Sequence, residues 1–157
     1  MLQLVSLLAL ANGTPVITKK LVGDRLSAPL DGGTSFVDGE PVFGRSKTIR
    51  GILLSLLVTT ASAPLVGLDW SLGFFVGVSA MAGDLFSSFI KRRCKLRPSS
   101  RCVGLDQVPE ALFPLLACRS VLVLTVEEIA LTVAIFFVGE VVISRALYRL
   151  HIRDRPY

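Results

Sequence analysis

Histidine is almost missing from this chain, one in 157 residues, and cysteine is scarce, at three. His151 and the thiols Cys94, Cys102 and Cys118 stand in no metal-ligand spacing, which argues against a zinc-type site and leaves the thiols reduced or incidental. Aromatic residues are 8% of the chain and form no ladder beside the cations. The net charge of +5 therefore does not point to nucleic acid, whose single strands are held in basic grooves by stacked rings. The glycine and lysine spacing of a Walker loop is absent as well. Charge itself is thin, at 18% Asp, Glu, Lys and Arg, and it leaves long stretches untouched.

What the chain has in quantity is apolar side chain, 52% of residues with a mean hydropathy of +0.64, which is too much for an ordinary soluble domain. A bilayer core of about 30 Å needs roughly 20 apolar residues per helix. Five stretches approach that length, at residues 1–18, 51–68, 70–90, 112–126 and 129–147. The first is short and holds Asn12, Gly13, Thr14 and Pro15, so a break is expected in its second half. It also lacks the charged start and small-residue cleavage site of a removable leader. The expectation is an all-α, polytopic membrane protein forming one domain over residues 1–157. It has about five transmembrane helices and two polar loops, at 23–50 and 91–110.

Cations set the expected orientation. Lys19, Lys20, Arg25, Arg45, Lys47 and Arg50 lie between the first two stretches, and Lys91, Arg92, Arg93, Lys95, Arg97 and Arg101 between the third and fourth. Arg145, Arg149, Arg153 and Arg155 follow the fifth, whereas the opposite connections hold Asp69, Glu127 and Glu128. Both loops and the C-terminus are thus expected in the cytoplasm of a multi-pass protein of the cell membrane.

Each loop carries a candidate site. In the first, Asp31 and Asp38 each precede glycine and predict turns, with a small hairpin about Asp38 and Gly39. Gly44, Arg45, Ser46, Lys47 and Thr48 then lead into a helix whose unpaired N–H groups and positive dipole end suit phosphate, with Arg50 adding charge. Positive-inside flanking would produce the same cations. In the third stretch, helical spacing puts Asp84, Ser88 and Lys91 on one face, and Asp84 about 10 Å below the basic cluster. An ionised carboxylate at that depth needs a partner, water or metal. Pairing Arg119 with Glu140 leaves Asp84 for a cation. Asp106 either caps the fourth helix, which opens near Pro109, or joins Asp84 in an oxygen-rich site of the kind magnesium takes with substrate phosphates.

Gly83, Asp84, Ser88, Lys91, Arg92, Leu105 and Asp106 resemble part of the signature of CDP-diacylglycerol synthases. The pattern over the whole chain is closer to the small CDP-archaeol synthase family. It runs through Asn12 and Pro15, Pro29 and Asp31, Asp38 and Gly39, Gly44 to Thr48, and Gly83 with Asp84, and its ending resembles Tyr148, Arg149, Leu150, Pro156 and Tyr157. The histidine-glycine-glycine portion of the larger enzymes is missing, with Arg97, Pro98 and Cys102 to Gly104 in its region, which argues against the diacylglycerol branch.

The resemblance implies a cytidylyltransferase that joins CTP to a phosphorylated lipid, giving a CDP-lipid and pyrophosphate. The family's lipid is an unsaturated archaeal diether glycerol phosphate, with phosphatidate as the alternative. Asp84 and Asp106 would hold Mg2+. Lys47, Arg50, Lys91 and Arg92 would hold phosphate oxygens, with Thr48, Ser88 and Asn12 adding hydrogen bonds, and Asp31 and Asp38 completing the nucleotide side. A lipid phosphate is already an anion, so the lack of a histidine base is no obstacle. A CDP-alcohol phosphotransferase is disfavoured, because its aspartate-glycine-x-x-alanine-arginine pattern is absent. A small transporter using Asp84, Arg119 and Glu140 is the reading from another class.

Overall fold

The computed structural model describes residues 1–23, 25, 27–97, 100 and 102–149. Among these residues six α-helices follow one another: α1 (Leu2–Val22), α2 (Ile49–Ser62), α3 (Trp70–Arg93), α4 (Gln107–Ala117), α5 (Arg119–Leu122) and α6 (Val126–Arg149). A 3-10 turn, Pro64–Val66, follows α2. The described residues form no strand, only isolated antiparallel bridges from Pro29 to Thr48 and from Ser35 to Pro41.

The expected break in α1 does not occur, for a reason that lies in α2. Pro15 sits inside a continuous helix and has no N–H to give to the carbonyl of Ala11, four residues back. The buried Ser55 hydroxyl of α2 donates to that carbonyl instead, at 2.6 Å. Three further polar side chains of α1 donate within it: Ser6 to Leu2 O, Asn12 to Leu8 O and Thr14 to Leu10 O, at 2.9, 3.1 and 2.6 Å. Back-bonding of this kind lets polar side chains ride in an apolar helix.

Small residues let the helices approach closely. Gly51, Ser55 and Thr59 are buried along α2 at four-residue spacing. On α3, a Cβ added at Gly73 would stand 2.5 Å from Ala63 Cβ and 2.9 Å from Thr59 O, and one at Gly77 would stand 3.2 Å from Leu56. Such stripes are how helices pack where lipid offers no hydrophobic drive. Leu4, Leu7 and Leu8 of α1, Val76 and Met81 of α3, Leu115 of α4 and Phe136 of α6 fill the core. Leu53, Leu57, Leu65, Trp70, Phe75, Val138 and Val142 point outward, an apolar exterior suited to lipid.

Among the described residues, two segments are long and apolar enough to cross a bilayer, Ile49–Val66 and Trp70–Arg93. The stretch at 112–126 is not one helix. α4 has 11 residues, about 16 Å of rise, short of a bilayer core. The chain then turns through α5 and reverses at Val123, whose φ is 51°. Arg119 closes this turn: its carbonyl accepts from Leu124 N at 3.0 Å and its guanidinium donates to Leu124 O at 3.4 Å. α6 starts on a reciprocal cap, with Thr125 N donating to Glu128 at 2.9 Å and Glu128 N to Thr125 Oγ1 at 3.2 Å.

Candidate active site

Loop one is a folded platform, held from below by Asp31. Its carboxylate accepts from the amides of Gly33, Phe43 and Gly44 at 3.0, 3.0 and 2.8 Å. Partial burial pushes this carboxyl up, but those amides outweigh it and hold it below the usual range. The expected hairpin is present: Phe36 N bonds Glu40 O and Val42 N bonds Thr34 O, with Gly39 at φ 82° in the turn. A second pairing, Leu30 N to Lys47 O and Ile49 N to Ala28 O, fixes the backbone at Lys47. Thr48 then caps α2, its hydroxyl accepting from Gly51 N at 3.2 Å.

That platform delivers Lys47 onto Asp84. The ammonium ion-pairs with the carboxylate of α3, and each side chain keeps only 19% of its surface exposed. Burial alone would push the Lys47 ammonium down; the carboxylates of Asp84, Glu110 and Asp106 overcome that and hold it above its usual value. The side chain beside Asp84 is thus the Lys47 ammonium, a partner that the sequence had not paired with it. Arg119 bonds at the α5 turn, and Glu140 lies in electrostatic reach of Glu110.

A cavity of about 730 Å³ opens above this pair. Its walls are Pro15, Thr18 and Lys19 of α1, Gly32 and Gly33 of loop one, Arg45 to Arg50 apart from Ile49, and Met81 and Asp84 of α3. Of the residues expected in the site, Lys47, Thr48, Arg50 and Asp84 line it. Arg50 also works on the fold, donating to Gly23 O at 2.9 Å and to Arg25 O at the end of α1.

The remaining candidates sit behind or beside this wall. Lys91 pairs with Asp106 at 2.6 Å and donates to Ser100 O at 3.1 Å, while Asp106 accepts from Cys102 N at 3.1 Å. Asp106 therefore makes no side-chain cap to α4. Arg92 is buried and donates to Arg97 O at 2.8 Å. Asp38 is held by Arg93, whose guanidinium also donates to Pro41 O at 2.6 Å and lies over the rings of Phe36 and Phe89 at 4.7 and 5.0 Å. This clasp fastens the hairpin to the end of α3. Ser88 is buried, and Asn12 bonds within α1. Leu150, His151, Pro156 and Tyr157 of the expected tail lie outside the described residues, as do Pro98, Ser99 and Arg101.

One residue was missed by the sequence reading. Glu110, in the first turn of α4, is 7% exposed, and its backbone lies against Gly83, next to Asp84. Gly83 makes this possible: a Cβ there would stand 2.2 Å from Pro109 O and 2.9 Å from Glu110 N. The only sequence signal was a glycine beside Asp84 and an acid one residue after Pro109.

Comparison with known proteins places the chain. Residues 66–157 match the family described as CarS-like, CDP-archaeol synthase. The CDP-archaeol synthase of Sulfurisphaera tokodaii is 33% identical over 153 residues, covering 94% of this chain and 89% of the relative. The chain belongs to the CDP-archaeol synthase family. The family member of Pyrococcus furiosus is 40% identical over 107 residues, 62% of this chain and 60% of that protein. A solved structure described as an intramembrane enzyme for archaeal membrane lipids biosynthesis shares the fold, with a TM-score of 0.73 at 24% identity over 87% of this chain and 90% of that one. As in that fold, this CDP-archaeol synthase family member is an all-helical membrane protein in its described residues.

Proposed function

We infer that this chain is a CTP-dependent lipid-phosphate cytidylyltransferase, transferring CMP from CTP to an archaeal diether glycerol phosphate and releasing pyrophosphate. Membership of the CDP-archaeol synthase family supports the reaction class. The observation that carries the assignment of the site is the Lys47 to Asp84 pair at the floor of a cation-lined cavity.

In the reaction a lipid phosphate oxygen attacks the α-phosphorus of CTP, a new P–O bond forms, and the bond to the β-phosphate breaks. Two polyanions must meet, so the main work is alignment and charge neutralisation. Lys47, Arg45, Arg50 and Lys19 ring the cavity and supply the positive field, and the start of α2 adds backbone dipole. Thr48 Oγ1 accepts from Gly51 N and keeps its own proton to donate to a phosphate oxygen. No proton needs to be removed from the nucleophile.

The residues also fit magnesium, a hard cation that takes one or two carboxylates and completes its shell with water and phosphate. Asp84 is a carboxylate already facing a cation, and Asp106 lies close enough to influence the same Lys47. Among the described residues no group of three or more His, Cys, Asp or Glu could hold a metal ion, so magnesium would rest on these carboxylates together with water and substrate phosphates. Bound there, magnesium would neutralise charge on the nucleotide phosphates. The multi-pass layout of about five crossings, with α4 and α5 together making the fourth, and the cytoplasmic face of the loops complete the proposal, supported by the cations at those ends. The cavity lies at the loop ends of α1, α2 and α3, where lipid would enter sideways and CTP from water.

Purified protein in detergent with magnesium, labelled CTP and either an ether or an ester lipid phosphate tests this. CDP-lipid from the ether substrate is the expected product. Product from the ester alone would move the chain to the CDP-diacylglycerol synthases, and none from either would sink the enzyme reading.

A further inference from the structure

We propose that the hairpin of loop one is an interfacial membrane anchor, with Val37 at its tip lying where lipid headgroups meet lipid chains. The proposal rests on the reading above that α3 crosses the bilayer, and it is independent of the chemistry assigned to the cavity.

The level of the hairpin follows from α3. Trp70, exposed at the start of that helix, is a side chain of the kind that marks a membrane boundary. Phe89 stands about 28 Å further along the helix at 1.5 Å per residue, close to the ~30 Å of a hydrocarbon core. Between them Phe75, Val78, Ala82 and Phe86 are exposed at intervals of three or four residues, a single apolar stripe. Phe89 continues that stripe, and Arg93 follows one turn later. The Phe36 ring of the hairpin packs edge-on against Phe89, with centroids 5.4 Å apart. The stripe therefore passes from the helix onto the hairpin at the depth where α3 leaves the lipid chains.

The tip suits that depth. Phe36 N donates to Glu40 O and Gly39 N to Phe36 O, at 2.8 and 2.9 Å, which makes residues 37–39 the turn. The turn needs Gly39 for its φ of 82° and uses the Asp38 carboxylate, which accepts from Glu40 N at 3.1 Å. It asks nothing of residue 37, yet a valine stands there, 95% exposed, beside Phe36 at 45%. One exposed valine is ordinary. This one extends a pair of packed rings at the end of a lipid-facing stripe. The single charge in the turn, Asp38, is neutralised by Arg93, whose guanidinium lies over both rings. Long cationic side chains at the end of a transmembrane helix reach toward the headgroups in this way. Depth matters to the cavity because the hairpin grows from its wall. Asp31 gathers the amides of Gly33, Phe43 and Gly44 at the hairpin base, and Gly32, Gly33 and Arg45 line the cavity. An anchored tip holds that wall at the level of a lipid phosphate.

Spin labels on the full chain in vesicles of phosphatidylcholine and phosphatidylglycerol test this, through collisions with oxygen, which concentrates in lipid, and with a water-soluble nickel chelate. The labels go on Val37→Cys and, as the lipid reference, Phe75→Cys, each with Cys94→Ser and Cys102→Ser; Cys118 is buried and stays. Both labelled positions are exposed, and thermal unfolding checks that the variants are folded. Both labels are expected to meet oxygen more often than nickel, with Val37 the shallower. Phe75 in lipid with Val37 in water overturns the anchor and leaves the α3 reading standing, whereas Phe75 in water overturns both. Val37→Asp reads the consequence for the site: KM for lipid phosphate in vesicles should rise about tenfold, the effect of partly burying one aliphatic side chain, with KM for CTP unchanged. An unchanged KM for lipid phosphate overturns the positioning role of the tip. Absence of turnover in the wild type sinks the cytidylyltransferase reading without touching the spin-label result.

Discussion

Two acid–base contacts join loop one to α3, and they do different work. Lys47 meets Asp84 at the floor of the cavity, in a recess walled by α1, loop one, α2 and α3. Arg93 meets Asp38 at the rim, where the acid is 38% exposed and the guanidinium lies on two phenyl rings. The first pair keeps charge where phosphate would arrive, while the second spends its charge on a hairpin. Identical chemistry thus becomes site or brace according to what surrounds it.

The sharpest way to break the comparison is at the floor. Lys47→Met and Asp84→Asn should each lower CDP-lipid formation by about a hundredfold or more, the scale of a lost electrostatic contact to a developing charge. Near-normal turnover in either variant would make the inner pair a brace like the outer one. Gly83→Ala comes next: its methyl meets the Pro109 carbonyl, a backbone atom that cannot step aside, so α3 and α4 must part. A loss of roughly 1–3 kcal/mol is expected from overpacking of this kind, read as a lower melting temperature in detergent together with reduced turnover.

Ser55→Ala tests a brace with no charge in it. It leaves the Ala11 carbonyl without a donor and should cost about 1–3 kcal/mol. Pro15→Ala restores a backbone N–H to that carbonyl, so the double variant should lose less than the sum of the two, in a thermal-melt cycle. At the rim, Arg93→Ala should cost about 1 kcal/mol or less and reduce turnover only a few-fold, because partly exposed ion pairs are screened. A loss there as large as at Lys47 would erase the distinction. The smallest effect belongs to Asp31. Its folded carboxyl lies below the ordinary 3.8, so its stabilisation is present above that value and is lost as pH falls through the lower folded value. Wild type should outmelt Asp31→Asn near neutrality and lose that margin in acid.

Much of this layout was legible in the residues. The apolar stretches led to α1, α2, α3 and α6; the Asp38 and Gly39 turn and the Gly44 to Thr48 entry into α2 are where spacing puts them; and Asp84 sits below a basic helix end. Other features could not be read from order alone. Asp31 looks like a candidate ligand until three amides are seen converging on it. Glu110 looks like an ordinary first-turn acid until Gly83 brings α3 against it.

By itself, then, the sequence determined the solvent, the helical segments and the chemical inventory, because hydropathy, turn residues and charge act locally along the chain. Only the tertiary structure decided partnership: that Lys47 neutralises Asp84, 37 residues further along, that Ser55 repairs the gap left by Pro15, and that the first turn of α4 at Glu110 packs on Gly83. Those choices depend on how closely two backbones approach. A missing Cβ at Gly83 or Gly51 sets that distance, and its consequence is felt by residues far off in the sequence.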